Sequence, residues 1–208
     1  LPFEKATTRI IVEANSRSIE LETGGVDIAM ELAFSDWERI ENNPETVLIS
    51  GESQSSTFIL LNNSMEPFDD IRVRQALAHA IDMESLVDIA FQGNAEVADS
   101  YYIPGILGHK PVGPMEYNPE KAKSLLAEAG YGDGLEIDFY TYEHPIHSVV
   151  AEVLQSMWGA VGVKVNIVVV DLATLTELNN TGKVSTSHMS PAVAIADPDA
   201  ALMIWPTW

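Results

Sequence analysis

Cysteine is absent from the 208 residues, so neither a disulfide framework nor a thiolate metal site can form. Basic residues are few: Lys and Arg total 11 against 31 Asp and Glu, for a formal net charge of −20. A surface of this charge repels phosphate backbones and anionic lipid headgroups, which argues against nucleic-acid and membrane-surface functions. No apolar run reaches the roughly 20 residues that span a bilayer as a helix.

The remaining composition is that of an ordinary globular protein. Hydrophobic residues make up 46% of the chain and charged residues 20%, which fits a buried core and not a disordered chain. The length predicts a single domain over residues 1–208, with two small domains as the alternative. The chain starts at Leu1 without a methionine and stops at Trp208 in an aromatic-rich run, so we expect it to be a piece of a longer protein.

The most strongly patterned segment is 67–93, PFDDIRVRQALAHAIDMESLVDIAFQG. Its apolar residues recur at helical spacing, and two such stripes are each preceded by an acidic N-cap, Asp69 or Asp70 for the first and Asp82 for the second. The pattern predicts two abutting helices that share one apolar face and end near Gly93. We expect His79 to lie on the solvated face of the first helix. This unit is a packing element and contains no catalytic chemistry.

Elsewhere the chain alternates between strand and helix patterns. Period-two or β-branched runs predict six strands, at 7–14, 26–32, 46–50, 57–62, 135–140 and 163–170. The first two strands enclose a short helix capped by Ser16, a βαβ unit. Further helices are predicted after Ser35, after Asn118, from about Ser148 and after Asp171. The overall prediction is an α/β fold, a mixed β-sheet flanked by helices.

Two irregular stretches are candidates for function. Residues 94–117 contain three prolines and are long for a plain connector, which is typical of functional or mobile loops. The cluster Glu143–His147, EHPIH, lies between a predicted strand and a predicted helix, where open α/β sheets bind ligands. Three interpretations of this cluster stay open. Its histidines could bind a divalent metal, the cluster could line a ligand site, or it could be an ordinary surface loop. Pro145 speaks against a regular helical presentation of the pair.

Several phrases of the chain resemble one family. PFDD-x-RVRQAL-x-x-AID at 67–82, YNPEKAKSLLAEAGY at 117–131, AEVLQSMWGAVGVKVNIVVVD at 151–171 and DPDAAL at 197–202 are similar to segments of the family 5 extracytoplasmic solute-binding proteins. These proteins are the peptide and nickel receptors of ABC importers. The resemblance covers nearly the whole chain and is most specific in the first two phrases.

The resemblance implies one lobe, lobe 2, of a two-lobed periplasmic-binding-protein-like (type II) fold. In that family a solute is clamped between two lobes, and the closed receptor docks on a membrane permease. The implied protein is extracytoplasmic, either periplasmic or a cell-surface lipoprotein, binds oligopeptides, dipeptides or a related small solute, and uses no cofactor and no catalysis. Its partners are the ligand, the missing first lobe of the same chain and the permease.

The resemblance and the loop positions together predict the ligand-binding residues. They are Tyr142, Glu143, His144, Asn94, Ser100, Tyr101, Ala194 and Asp197. Peptide-binding members carry an acid three residues before the DPD triplet, which receives the peptide's α-ammonium group. Ala194 stands in that slot here, and Pro191 stands in the family's tryptophan slot. A buried ammonium needs an anionic partner, so Glu143 or Asp197 would have to take over this role.

Two alternatives stay open on the sequence. The first is a metal-dependent hydrolase or a nickel-binding protein that uses His144 and His147. No H-E-x-x-H zinc motif and no G-x-S-x-G nucleophile motif supports it. The second is an inert structural module of a larger protein, which would bind no ligand.

Overall fold

The computed structural model describes residues 4–51, 56–100, 102, 104 and 108–189. The chain divides into two compact units, Leu1–Glu52 and Ser53–Trp208. Among the described residues, no helix is both long enough and apolar enough to cross a membrane. The single domain expected over 1–208 stays a prediction.

The first unit contains two helices, α1 (Ala14–Glu22) and α2 (Trp37–Glu41), the second entered through a 3-10 turn at Phe34–Asp36. Helix α1 begins two residues before the predicted cap Ser16, since Glu13 is its N-cap. The Arg17 guanidinium donates to the carbonyls of Ile11 and Val12, each over 2.8 Å. These bonds hold the preceding extended segment against the helix.

The strands predicted at 7–14, 26–32 and 46–50 are wrong, and with them the βαβ unit. These segments contain no assigned strand in the part of the chain that the structure describes. Their apolar residues alternate, but the described residues supply no neighbouring strand to pair with. Period-two alternation indicates a side chain's direction, whereas a strand also needs a hydrogen-bonding partner.

The second unit is built on a four-stranded mixed sheet, which confirms the predicted fold class. Its strands are β1 (Phe58–Leu61), β2 (Leu135–Tyr142), β3 (Val163–Val170) and β4 (Thr186–Met189), in the order β1-β4-β2-β3. Strand β2 is parallel to β3 and to β4, while β1 is antiparallel to β4. The sequence analysis missed β4, because TSHM is short and polar and does not alternate.

Helices α3 (Ile71–His79), α4 (Met83–Phe91), α5 (Pro119–Glu128) and α7 (Leu172–Asn180) begin where the capping signals predict. The side chains of Asp70, Asp82, Asn118 and Asp171 each accept a hydrogen bond from a backbone N–H of the first turn. Each cap thereby satisfies one of the donors that a helix start leaves without an intrahelical partner.

Helix α6 (Pro145–Gly159) begins three residues before the predicted start at Ser148. Pro145 occupies the first helical position, where its missing N–H costs no hydrogen bond. Pro145 therefore starts the helix, and the predicted start at Ser148 is wrong. His144 is the N-cap with an extended backbone and only His147 is helical, so the pair has no regular helical presentation, as predicted. Only Glu143 and His144 separate β2 from α6.

The core lies between this sheet and α3, α4, α5 and α6. Its largest fully buried side chains include Trp158 of α6, Phe139 of β2 and Leu77 of α3. The Trp158 and Phe139 rings meet edge to face, with centroids 5.8 Å apart. Aromatic pairs favour this arrangement, because a positive ring edge then faces a negative ring face.

The carboxyl end of α3 illustrates how the fold satisfies its backbone. The last four carbonyls of a helix lack intrahelical partners, and in α3 all four accept hydrogen bonds. Ala80 N–H donates to Ala76, the indole of Trp158 to Leu77, Ile81 N–H to Ala78 and Asn118 N–H to His79. His79 is buried, not solvated as expected, and its Nδ1 lies 2.7 Å from the Glu116 carbonyl oxygen.

Asn62 fixes the connection that leads into β4. It is buried directly after β1, and its Nδ2 donates to the carbonyls of Gly182 and Val184, each over 3.2 Å. Its Oδ1 accepts from the backbone N–H and the hydroxyl of Ser64. One side chain therefore joins the ends of two neighbouring strands.

Candidate ligand-binding site

The carboxyl ends of β2, β3 and β4 lie at one edge of the sheet, because these strands run parallel. We call it the carboxyl edge, and it is defined by Tyr142, Val170 and Met189, the last residues of the three strands. Helices α6 and α7 both begin there, so their positive dipole ends face the same region. Open α/β sheets bind ligands at such an edge.

Three histidines and a tyrosine are stacked at the carboxyl edge. The His147 ring is central: its centroid lies 4.4 Å from that of Tyr142, 4.3 Å from His144 and 4.2 Å from His188. The contacts with Tyr142 and His188 are edge to face. Tyr142 comes from β2, His144 and His147 from the start of α6, and His188 from β4. We call these three imidazoles the histidine stack.

Burial controls the protonation of the stack. It lowers the pKa of His147 to about 3, with further contributions from His188 and His144, and the pKa of His188 to about 4, with a contribution from His144. His147 lies in the first turn of α6, where the helix dipole also disfavours an imidazolium. The pKa of the Tyr142 phenol is raised by burial. At neutral pH, His147 and His188 are therefore uncharged.

The stack does not form a metal centre in the described residues. Among them, no group of three or more His, Asp or Glu side chains could hold a metal ion. The His147 ring contacts the His144 ring in a tilted arrangement and the His188 ring edge to face. The hypothesis of metal chemistry at His144 and His147 therefore gains no support from the geometry.

The predicted site residues fall into three groups. Tyr142 and His144 lie together at the carboxyl edge, with ring centroids 6.3 Å apart, and Glu143 between them has an exposed side chain. Asn94 is exposed, and its Nδ2 bonds to the carbonyls of Phe91 and Gln92 within its own turn. Ser100 is partly buried. Tyr101, Ala194 and Asp197 lie outside the described residues.

His188 is the member of the stack that sequence reasoning missed. It lies in a short polar strand that has no alternation to mark it. Its neighbour Ser187, also buried, donates to Asn179 Oδ1 of α7 over 2.7 Å. The polar side chains of this central strand therefore pack against helices. A strand without alternating apolar residues has the hydropathy of a loop, so the sequence pattern does not indicate that His188 is buried in the sheet.

The long segment 94–117 is held at two points. The Asp99 carbonyl accepts from the backbone N–H groups of Val112 and Gly113, and its carboxylate lies 2.9 Å from His109 Nε2. Further along, Glu116 is held by the side chain of His79. These contacts fix the described residues on either side of the undescribed positions 101, 103 and 105–107.

Comparison with known proteins connects this architecture to one family. The family model of the bacterial extracellular solute-binding proteins, family 5 Middle, matches residues 2–207. Heme-binding protein A of Haemophilus influenzae is 28% identical over 95% of this chain and 37% of that protein. Glutathione-binding protein GsiB of Pectobacterium atrosepticum is 32% identical over 81% of this chain and 33% of that protein.

A solved structure shares the fold. The periplasmic binding protein DppA of Helicobacter pylori, in complex with the peptide STSA, superimposes with a TM-score of 0.85 at 25% identity. The match covers 94% of this chain and 38% of DppA. The chain thus spans about a third of the length of the curated relatives that it matches.

Proposed function

Since the chain belongs to the bacterial extracellular solute-binding proteins of family 5, we propose that it supplies the second lobe of a two-lobed receptor. The receptor binds oligopeptides, dipeptides or a related small solute by closing both lobes on it, without catalysis. One observation supports the proposal most directly. The fold brings Tyr142 and His144 together at the carboxyl edge, where open α/β sheets bind ligands. Residues 1–208 would form one excised lobe.

Exposed apolar residues in the first unit support a missing first lobe. Three segments without helix or strand structure each present two apolar side chains at alternate positions, all at least 75% exposed: Ile10 and Val12, Ile28 and Met30, Val47 and Ile49. Soluble proteins rarely leave so many apolar side chains in water unless another surface covers them. Strands of the first lobe would pair with these segments and bury them.

The ligand class follows from the relatives and from the edge itself. Two relatives are named for heme and glutathione binding, and DppA was solved with a peptide. Tyr142 offers a partly buried aromatic surface on which a peptide side chain can pack. Because Ala194 replaces the amine-binding acid, the exposed carboxylate of Glu143, or Asp197, would receive the peptide's ammonium group.

The remaining partners follow from the family. The closed receptor would dock on an ABC permease in the membrane and would act outside the cytoplasm, either in the periplasm or as a cell-surface lipoprotein. Closure derives its free energy from contacts that the ligand makes with both lobes at once. The lone chain should therefore bind weakly or not at all.

The test is calorimetric titration of the 208-residue chain and of a longer polypeptide that includes the first lobe. The panel contains dipeptides, tetrapeptides, glutathione and heme. We expect micromolar or tighter binding of one peptide class by the longer protein and at least tenfold loss with Tyr142→Ala or His144→Ala. Glu136→Gln, with an exposed side chain at the opposite end of β2, should retain affinity. Failure of every panel member, or turnover of any of them, would contradict the proposal.

A further inference from the structure

The histidine stack joins two elements that the chain connects only at long range. His147 belongs to the first turn of α6 and His188 to β4, and their rings meet edge to face with centroids 4.2 Å apart. Both side chains are buried, His188 completely. The contact therefore forms part of the packing between α6 and the centre of the sheet, directly below the carboxyl edge.

Three ring nitrogens of this pair are buried without a hydrogen-bond partner in the part of the chain that the structure describes. They are both nitrogens of His188 and Nδ1 of His147. A buried polar group without a partner costs free energy, and a buried unpaired charge costs far more. The stack tolerates neutral imidazoles, but it has no acceptor among these residues to receive the second N–H of an imidazolium.

No described carboxylate compensates for such a charge. The titratable groups that face the two rings are Tyr142 from β2 and His144 from α6, and β1 places Ile59 opposite His188 in the register. Helix α7 contributes the Asn179 amide, whose Oδ1 accepts a hydrogen bond from the hydroxyl of Ser187 in β4. The acids nearest in sequence, Glu143 and Glu152, have exposed side chains.

We propose that the His147–His188 contact is an acid-sensitive latch, which holds the start of α6 against β4 at neutral pH and opens when either ring takes up a proton. Protonation places a positive charge next to two further imidazoles in a buried site, so the contact separates to hydrate the charge. Opening displaces Tyr142 and His144, which lie on the same stack. The latch is a property of the lobe itself, and its test needs no ligand.

The sign of the pH dependence follows from proton binding. In the unfolded chain both histidines titrate near 6.5, whereas burial lowers the folded pKa of His147 to about 3 and that of His188 to about 4. The unfolded state therefore binds more protons between these values, and stability falls as the pH drops below 6.5. Each histidine should reduce the folding equilibrium constant about 20-fold between pH 7 and pH 5.

The experiment measures urea unfolding of the 208-residue chain at pH 7 and pH 5. His188→Phe and His147→Phe keep a ring and remove one titrating group, and each should recover roughly 20-fold of the acid loss. His109→Gln, which removes a histidine outside the stack, should retain the loss. An unchanged acid loss in both Phe variants would overturn the proposal.

A second measurement covers the case in which the Phe variants do not fold. NMR of histidine-labelled wild-type chain should show two rings that stay neutral at pH 5, with exchange broadening of Tyr142 and His144 that grows as the pH falls. All five histidines titrating near 6.5 in a folded chain would overturn the proposal. So would a Zn²⁺-induced rise in the unfolding midpoint at pH 7 that needs both His147 and His188, because the pair would then be a metal site.

Discussion

The indole Nε1 of Trp158 donates a 3.0 Å hydrogen bond to the backbone carbonyl of Leu77, 81 positions earlier in the chain. Leu77 lies in the last turn of α3, where helix carbonyls have no intrahelical partner. Trp158 lies in the last turn of α6 and also packs against Phe139 of β2. One side chain therefore connects the most recognisable helix of the sequence with the sheet.

Replacing Trp158 with Phe should keep much of the apolar volume and remove the indole donor. The buried Leu77 carbonyl is then left without its partner, and a small cavity remains. We expect a loss of about 2–4 kcal/mol in the free energy of unfolding. Urea unfolding followed by circular dichroism would measure it, with Met157→Leu as a volume-conserving control on the same helix. A loss as small as that of the control would show that the hydrogen bond contributes little.

The cap of α4 should be a measurable source of stability. Asp82 accepts from the backbone N–H and the hydroxyl of Ser85, over 3.1 Å and 2.7 Å. Asp82→Ala should cost about 1 kcal/mol, whereas Asp88→Ala on the exposed face of the same helix should change stability by less than about 0.5 kcal/mol. Equal effects in chemical denaturation would contradict the capping role.

The same cap predicts a pH dependence. The Ser85 side chain, and then its backbone N–H, lower the pKa of the Asp82 carboxyl below its ordinary value. A carboxyl with a lowered folded pKa stabilises the protein above its unfolded pKa, and this contribution is lost as the pH falls. The difference in stability between wild type and Asp82→Ala should therefore shrink below about pH 4. A constant difference from pH 7 to pH 3 would contradict the assignment.

Asn62 and Asn94 form a matched pair for testing buried polarity. Both amides donate from Nδ2 to two backbone carbonyls, but Asn62 is buried and Asn94 is exposed. Asn62→Asp puts an acceptor and a charge against the carbonyls of Gly182 and Val184, so we expect a loss of at least about 3 kcal/mol. Asn94→Asp should cost less than about 1 kcal/mol, because water solvates the new charge. Similar unfolding midpoints for the two variants would contradict this.

Unfolding cooperativity tests the predicted single domain over 1–208. Trp37 lies in the first unit and Trp158 in the second, so a chain with Trp205→Phe and Trp208→Phe, labelled with fluorotryptophan, gives one ¹⁹F resonance for each unit in the same molecule. If the chain is one domain, the two resonances should report coincident transitions in urea. Midpoints that differ by more than the error of the fit would indicate that the units unfold independently.

Local chemistry made most of the second unit predictable. Asp70, Asp82, Asn118 and Asp171 mark helix starts through bonds made within three residues, so the sequence alone contains both partners. The first unit was not predictable in this way. Its alternating segments need strands that the described residues do not supply, and side-chain alternation looks the same whether or not a partner strand exists.

The sequence predicts the neighbours of the candidate site along the chain but not those from distant strands. EHPIH lies between a strand and a helix in the sequence, and the structure brings Tyr142 and His144 together at the carboxyl edge. His188 reaches the same place from β4, 41 positions after His147, through a parallel pairing that no local pattern encodes. The start of α6 at Pro145 was missed, because the same residue that interrupts a helix interior is favoured at its first position.

The two backbone hydrogen bonds at the Asp99 carbonyl have a practical consequence for protein engineering. Because Val112 and Gly113 return to Asp99, the entry and exit of residues 100–111 are close together in space. Foreign peptides of different lengths can be inserted there without stretching α4 or α5 apart, so the scaffold becomes a display framework. The inserted segment can then be varied by selection while the helices on either side stay unaltered.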